Sequence, residues 1–78
     1  MPRYFFHVHN DLDTFDDEGL ELADDGAARR SAVDAARAIA ADSVRDGSLN
    51  LNHTIEIVGA DGRLVEVMRF GAAVAVTS

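Results

Sequence analysis

An alanine-rich segment from Asp24 to Gly47 constrains the fold of this chain more than any other feature. Its alanines recur at helical spacing, so a helix from about residue 25 to 46 gathers them on one arc and puts the charged residues on the opposite arc. The predicted buried arc comprises Ala28, Ala32, Ala35, Ala36, Ile39, Ala40 and Ser43. Asp24 and Asp25 supply carboxylates for the helix start, and Gly47 supplies the left-handed conformation that ends a helix. Because alanine buries little area, this helix needs a flat apolar surface close to its axis.

The first part of that surface is predicted at residues 3–9, which alternate in the period-two pattern of a strand. Tyr4, Phe6 and Val8 fall on one face, and we assign this face to the helix side because it is uniformly bulky. The opposite face receives Arg3, Phe5, His7 and His9. A second, short strand is expected at residues 20–22, where two leucines flank a glutamate.

Residues 53–67 predict a β-hairpin, since two alternating stretches flank a glycine-rich turn. A two-residue loop would set Ile57 opposite Glu66 and would mix apolar and charged side chains on one face. A three-residue loop over residues 60–62, with its final glycine left-handed, sets Ile57 opposite Val65 instead, and we choose this register. The helix-side face then comprises Ile55, Ile57, Val65 and Val67, and the outer face comprises Thr54, Glu56, Val58, Leu64, Glu66 and Met68.

The predicted fold class is α+β. It is an antiparallel sheet in β-β-α-β-β order, with a short final strand from about Ala73 to Val76 and one alanine-faced helix packed on one side. We expect a single domain over residues 1–78, because a chain of 78 residues has room for one hydrophobic core.

The charge balance, the length of the apolar runs and the absence of cysteine limit the partners expected for this chain. The chain carries fourteen acidic residues against seven basic ones, for a net charge of −7. We therefore expect no direct binding of nucleic acid, because its phosphates are bound by basic side chains. No apolar run reaches the length of a membrane span, and the chain has no cysteine. We expect a cytoplasmic protein that binds no membrane and uses no cofactor.

His7 and His9 are the residues that most invite a metal-site hypothesis. They lie two apart on a predicted strand and so point the same way, and Asp11 or Asp13 of the following acidic loop could add a third ligand. The other interpretation is that both are partly exposed strand residues beside carboxylates. We prefer it, because two histidines without a defined third ligand are common by accident. Metal binding through these histidines stays as an alternative function.

Enzymatic chemistry has little support in the sequence. No serine has the glycine-flanked setting of a nucleophile elbow, and no glycine-rich loop for phosphate is present. A nucleophile, a base and an orienting group therefore cannot be assembled. We expect a small non-catalytic module for protein interaction or structural support.

The outer face of the predicted sheet is the expected interaction surface, because one helix cannot cover both faces. Its predicted interface residues are Phe5, Glu56, Val58, Leu64, Glu66 and Met68. Apolar groups on an open face commonly mark association sites. Glu56 and Glu66 would lie opposite each other, and the bases of a second copy would relieve that repulsion. We therefore expect a face-to-face homodimer. The alternative is a monomer whose outer face is partly covered by the acidic loop through Phe15, the residue expected to hold that loop to the sheet.

Several motifs also carry a resemblance to a known family. They are the opening at residues 1–8, the acidic stretch at 16–22, the helix entry at 25–28, and the Ile55-Glu56-Ile57 and Gly62-Arg63 parts of the hairpin. Together they resemble a family of small bacterial proteins catalogued only as a domain of unknown function. The resemblance implies bacterial origin and a single-domain build.

A second, shorter likeness concerns the order of elements. The entry from Leu20 to Ala28 and the strand-strand-helix-strand order are similar to small antitoxin domains of the HicB type. This resemblance implies a further alternative function, that of an antitoxin-like partner of a bacterial toxin.

Overall fold

The computed structural model describes residues 1–10 and 12–74, and it confirms the α+β class. In chain order the elements are β1 (Arg3–His9), β2 (Asp13–Thr14), β3 (Leu20–Glu21), α1 (Asp25–Arg45), β4 (Thr54–Gly59), β5 (Leu64–Arg69) and α2 (Phe70–Ala73). The strands form one antiparallel sheet in the order β2-β1-β4-β5, and β3 pairs with β1 beside β2. In the described ranges, no helix is long and apolar enough to cross a membrane.

Helix α1 begins and ends where capping groups satisfy its terminal backbone. Asp24 Oδ1 accepts the Ala27 N–H at 2.8 Å, which satisfies one donor of the first turn. At the other end Gly47 has a φ of +99°, and the Ser48 N–H donates to the Ser43 carbonyl at 3.0 Å. This is the hydrogen-bond pattern of a Schellman motif, so the predicted stop at Gly47 is confirmed.

The core lies between α1 and the β4–β5 half of the sheet. The helix buries an alanine at every fourth position, namely Ala28, Ala32, Ala36 and Ala40. Because these side chains are small, α1 lies close to the sheet, as its sequence predicts. Opposite them the fully buried large side chains are Ile55, Ile57 and Phe70.

Helix α2 closes one end of the core, and the sequence pattern does not predict it. Phe70 begins it and is 1% exposed, and the Phe70 N–H donates to the His53 carbonyl at 2.8 Å. Ala73, where the sequence predicts a final strand to begin, lies in α2 instead. The rest of that predicted strand, from residue 75 onward, lies outside the described residues.

The hairpin turn agrees with the prediction, but the register beyond it does not. Residues 60–62 form the three-residue loop, and Gly62 has a φ of +83°. Val58 lies opposite Leu64, as this loop requires, yet Ile57 lies opposite Glu66. Val65 is therefore an extra residue in β5, a β-bulge, and it reverses the face of every side chain that follows it.

The bulge corrects three predicted positions in β5. Met68, expected on the outer face, is 7% exposed beneath α1. Glu66, also expected outside, faces the helix, where its Oε1 lies 2.8 Å from Arg29 Nε. Val67, expected in the core, lies on the outer face and is 47% exposed.

Candidate functional site

Three rows of side chains cross β1, β4 and β5 on the face of the sheet opposite α1. The first row is Phe5, Val58 and Leu64, the second is His7, Glu56 and Val67, and the third is His9, Thr54 and Arg69. The first row is wholly apolar, and Val67 adjoins it. We call Phe5, Val58, Leu64 and Val67 the outer apolar patch.

The outer apolar patch is partly open. Leu64 is 54% exposed and Val67 is 47% exposed, whereas Phe5 and Val58 are partly buried. The Phe5 ring is covered from the loop side by Gly19, which has a φ of +74° and lies so close that a Cβ added to it would stand 3.0 Å from Phe5 Cε1. The open part of the patch therefore lies over β4 and β5.

Phe15 covers the other end of the same face. Its ring centroid lies 5.4 Å from that of His7 and 5.9 Å from that of His9. The expected contact between Phe15 and the sheet is thus confirmed, although the ring remains 66% exposed. Because Phe15 lies over the histidines, it leaves Leu64 and Val67 uncovered.

Asp16 holds this loop against β1. Its Oδ2 accepts the Phe6 N–H at 3.2 Å, and its Oδ1 accepts the N–H groups of Glu18 and Gly19. Burial alone would raise the pKa of the Asp16 carboxyl, but these backbone hydrogen bonds outweigh it, and the pKa lies below its usual value. The loop is therefore fixed by an ionised aspartate.

The two histidines are held in different ways. His7 Nδ1 accepts the Asp16 N–H at 3.0 Å, so the proton of the neutral ring is on Nε2, which then has no lone pair for a metal. His9 lies between two carboxylates, with Nδ1 3.1 Å from Asp13 Oδ1 and Nε2 3.8 Å from Glu56 Oε1.

A shared metal site for His7 and His9 is not assembled in the described part of the chain. No group of three histidine or acidic side chains there is arranged to hold a metal ion. Of the two histidines, Asp13, one proposed third ligand, contacts His9. Asp11, the other proposed ligand, lies outside the described residues.

A polar cluster that the sequence did not reveal joins β1, the start of α1 and the loop of the β4–β5 hairpin. The buried Tyr4 donates its hydroxyl proton to Asp25 Oδ1 at 2.8 Å, and Arg63 Nη2 lies 3.2 Å from the same oxygen. The Tyr4 hydrogen bond, followed by that of Arg63, lowers the pKa of Asp25. The same bond to Asp25, with burial, raises the pKa of Tyr4. Asp25 therefore binds Tyr4 and Arg63, which are distant in sequence, and Asp24 alone caps the helix.

The predicted interface changes in composition. Phe5, Glu56, Val58 and Leu64 lie on the outer face as expected, whereas Glu66 and Met68 do not. Glu56 lies opposite His7 and Val67, so the expected repulsion between Glu56 and Glu66 is absent. Val67 is the residue that sequence reasoning missed, and only the position of the bulge could have revealed it.

Comparison with known proteins identifies a family. A family model described as a domain of unknown function (DUF6894) matches residues 3–71. No curated protein and no solved structure matches the chain.

Proposed function

The chain belongs to the DUF6894 family, a domain of unknown function, and we propose that it is a non-catalytic protein-interaction module that self-associates through the outer face of its sheet. One observation carries this proposal. An apolar row, Phe5–Val58–Leu64, crosses three strands on the face opposite α1, which no helix of the described residues covers.

The apolar patch supplies a driving force for association. Leu64 and Val67 are about half exposed, so each has apolar area left to bury. Burial releases about 25 cal/mol per Å² of such area. Grouped apolar side chains on a surface mark association sites more often than scattered ones do. A two-fold axis through the patch would place each copy's row against the other, which is the commonest closed arrangement.

Electrostatics favours a partner position over β4 and β5. Glu56 lies opposite His7, and its Oε1 lies 3.8 Å from His9 Nε2, so Glu56 has polar neighbours within its own chain. Eight acids lie between residues 11 and 25 of the sequence, and the segments at 13–14 and 20–21 pair with β1. Two chains of net charge −7 also repel each other. A partner centred on Leu64 and Val67 keeps these acidic loops apart. Salt screens the remaining repulsion beyond about 8–10 Å, so added salt should strengthen association.

The size of the face indicates a weak dimer. Three strands at a spacing of about 4.8 Å, each about six residues long, give a surface of roughly 15 by 20 Å. Standard interfaces bury about 800 Å² on each partner, so this face belongs to the small and transient class. Association is therefore expected only at the upper end of laboratory concentrations.

Sedimentation velocity over a concentration series tests the proposal. We expect the weight-average mass to rise above that of one chain as the concentration increases toward the millimolar range. Val67→Lys should abolish this rise, because it places a charge in the interface; lysine is chosen since Val67 lies opposite Glu56. Val44→Lys is the matched control, since Val44 is 59% exposed on α1, away from the outer face. A wild type that stays monomeric, or equal effects of the two variants, would contradict the proposal.

Metal binding through His7 and His9 remains the rival hypothesis. The Asp16 backbone N–H donates to His7 Nδ1, and this hydrogen bond opposes metal binding by His7. The contact of Asp13 with His9 Nδ1, by contrast, resembles the carboxylate support of a metal-bound histidine. A thermal-shift screen with zinc, nickel and manganese separates the two. A large metal-dependent rise in melting temperature that is lost in His9→Ala would replace our proposal.

A further inference from the structure

The side of α1 nearest β5 carries two arginines with a valine between them, which we call the arginine row. Arg29, Val33 and Arg37 follow at four-residue spacing and so share one side of the helix. Arg29 Nε lies 2.8 Å from Glu66 Oε1, and Arg37 Nε donates to the Ala73 carbonyl at 2.9 Å. These contacts place the row along β5 and α2.

Strand β5 forms an edge of the sheet. Within residues 1–10 and 12–74, no strand pairs with the side of β5 that faces away from β4. The N–H of Phe70, the residue after β5, donates to the carbonyl of His53, the residue before β4. Because hydrogen bonding alternates along antiparallel strands, the backbone groups of Val67 and Arg69 point to the open edge.

A shallow groove of about 370 Å³ lies on this side of α1. Its lining residues are Arg29, Arg30, Val33, Asp34 and Arg37. A strand added to β5 would direct alternate side chains toward α1 and the others toward the outer face beside Val67. Three arginines outnumber the acids Asp34 and Glu66 here, in a chain whose net charge is −7.

We propose that the β5 edge and the arginine row bind an extended acidic segment of another protein by strand addition. Backbone hydrogen bonds to Val67 and Arg69 hold the segment. Its acidic side chains face Arg37 of the row and Arg30, which lines the same groove. Its alternate apolar side chains lie beside Val67. The segment is acidic because the arginines at this groove outnumber the acids there. The acidic loop at the opposite edge of the sheet would repel such a segment, which favours the β5 edge.

This surface does not depend on self-association. Arg30 lies on α1, outside the outer apolar patch, so a variant there tests strand addition alone. Among the described residues Arg30 makes no ion pair within 4.0 Å, and its side chain is exposed, so its reversal leaves the fold intact.

An NMR titration with a defined probe tests the proposal. The probe is a capped nine-residue peptide in which glutamate alternates with valine and threonine, and its control has the same composition with the glutamates grouped at one end. We expect the alternating peptide to shift the amide signals of Val67 and Arg69. Arg30→Glu should weaken binding about two- to fivefold, which is the effect of losing one exposed charge contact. Arg45→Glu, the matched reversal at the far end of α1, should leave affinity unchanged.

Three results would overturn the proposal. The first is no shift at the β5 amides, and the second is equal weakening by Arg30→Glu and Arg45→Glu. The third is backbone contacts of Val67 and Arg69 with a second copy in isotope-filtered spectra recorded without peptide, which would identify a second copy as the occupant of the edge. Because Arg30→Glu leaves Leu64 and Val67 unchanged, failure here is distinguishable from failure of self-association.

Discussion

The two faces of the sheet use the same strands, yet one is sealed and the other is open. On the helix side Ile55 and Ile57 have no exposed area beneath the alanines of α1. On the outer side Leu64 and Val67 are about half exposed. The difference does not come from hydrophobicity, since both faces carry branched apolar residues. It comes from α1, whose alanines cover the face that carries Ile55 and Ile57. The β-bulge at Val65 adds Met68 to that face and turns Val67 to the open one.

The strongest test of this difference compares neighbours on β4 that point to opposite faces. Ile57→Ala should lower the free energy of unfolding by about 2–4 kcal/mol, because it removes buried methyl groups and leaves a cavity. Val58→Ala, on the outer face, should lower it by less than about 1 kcal/mol, since Val58 is only partly buried. Urea denaturation measures both. Similar losses would mean that the two faces are equally packed.

A second test addresses the close approach of α1. Ala36→Leu should overpack the contact between helix and sheet and cost about 1–3 kcal/mol. Ala38→Leu inserts the same side chain on the exposed side of α1, and its effect should stay within about 0.5 kcal/mol. If thermal melts show Ala36→Leu to be neutral, the sheet does not lie as close to α1 as the structure has it.

The pH dependence of stability sharpens the comparison, because each face depends on one aspartate. Asp25 supports the helix side through Tyr4, and Asp16 supports the loop of the outer side through Phe6. The pKa of each carboxyl is lowered in the folded state, so each contributes stability above the usual aspartate pKa of about 3.9 and loses it as pH falls through the folded value.

We therefore expect unfolding midpoints in urea to fall as the pH drops below about 4. Asp25→Asn and Asp16→Asn should each flatten this acid limb. Amide exchange distinguishes the two variants, since Asp16→Asn should speed exchange of the Phe6, Glu18 and Gly19 N–H groups and Asp25→Asn should not. A wild type whose stability does not change below pH 4 would contradict the hydrogen bonds at both carboxylates.

The smallest expected effect is the titration of Tyr4, the only tyrosine in the chain. Its hydrogen bond to Asp25 and its burial raise its pKa, so ultraviolet absorbance should show ionisation above the usual value of about 10. Asp25→Asn should move the titration back toward that value. An unshifted wild-type curve would show that the bond to Asp25 is absent in solution.

The sequence predicts local structure well in this chain. The limits of α1, its alanine face and the three-residue turn at Gly62 depend on neighbouring residues, and the structure confirms each. The prediction that Tyr4, Phe6 and Val8 of β1 face the helix is likewise confirmed, since all three pack in the core. It followed from the alternation of three bulky residues. Local patterns of this kind are complete within one element.

The features that the sequence does not reveal depend on distant contacts. Leu64, Val65, Val67 and Met68 are all apolar, so the pattern of β5 fits either register. The ion pair between Arg29 and Glu66, 37 residues apart, accompanies the observed register. Tyr4 and Asp25 meet across 21 residues in the same way. A two-residue strand such as β2 carries too few residues to show any period.

Isotope-filtered NMR tests the central claim, that the open face is the self-association surface. In a concentrated mixture of labelled and unlabelled chains, we predict intermolecular contacts between the methyl groups of Leu64 and Val67 and the Phe5 ring. The same spectra should show no intermolecular contact at Val44 on α1. Intermolecular contacts confined to α1, or none at the outer apolar patch while the protein sediments as a dimer, would contradict the account.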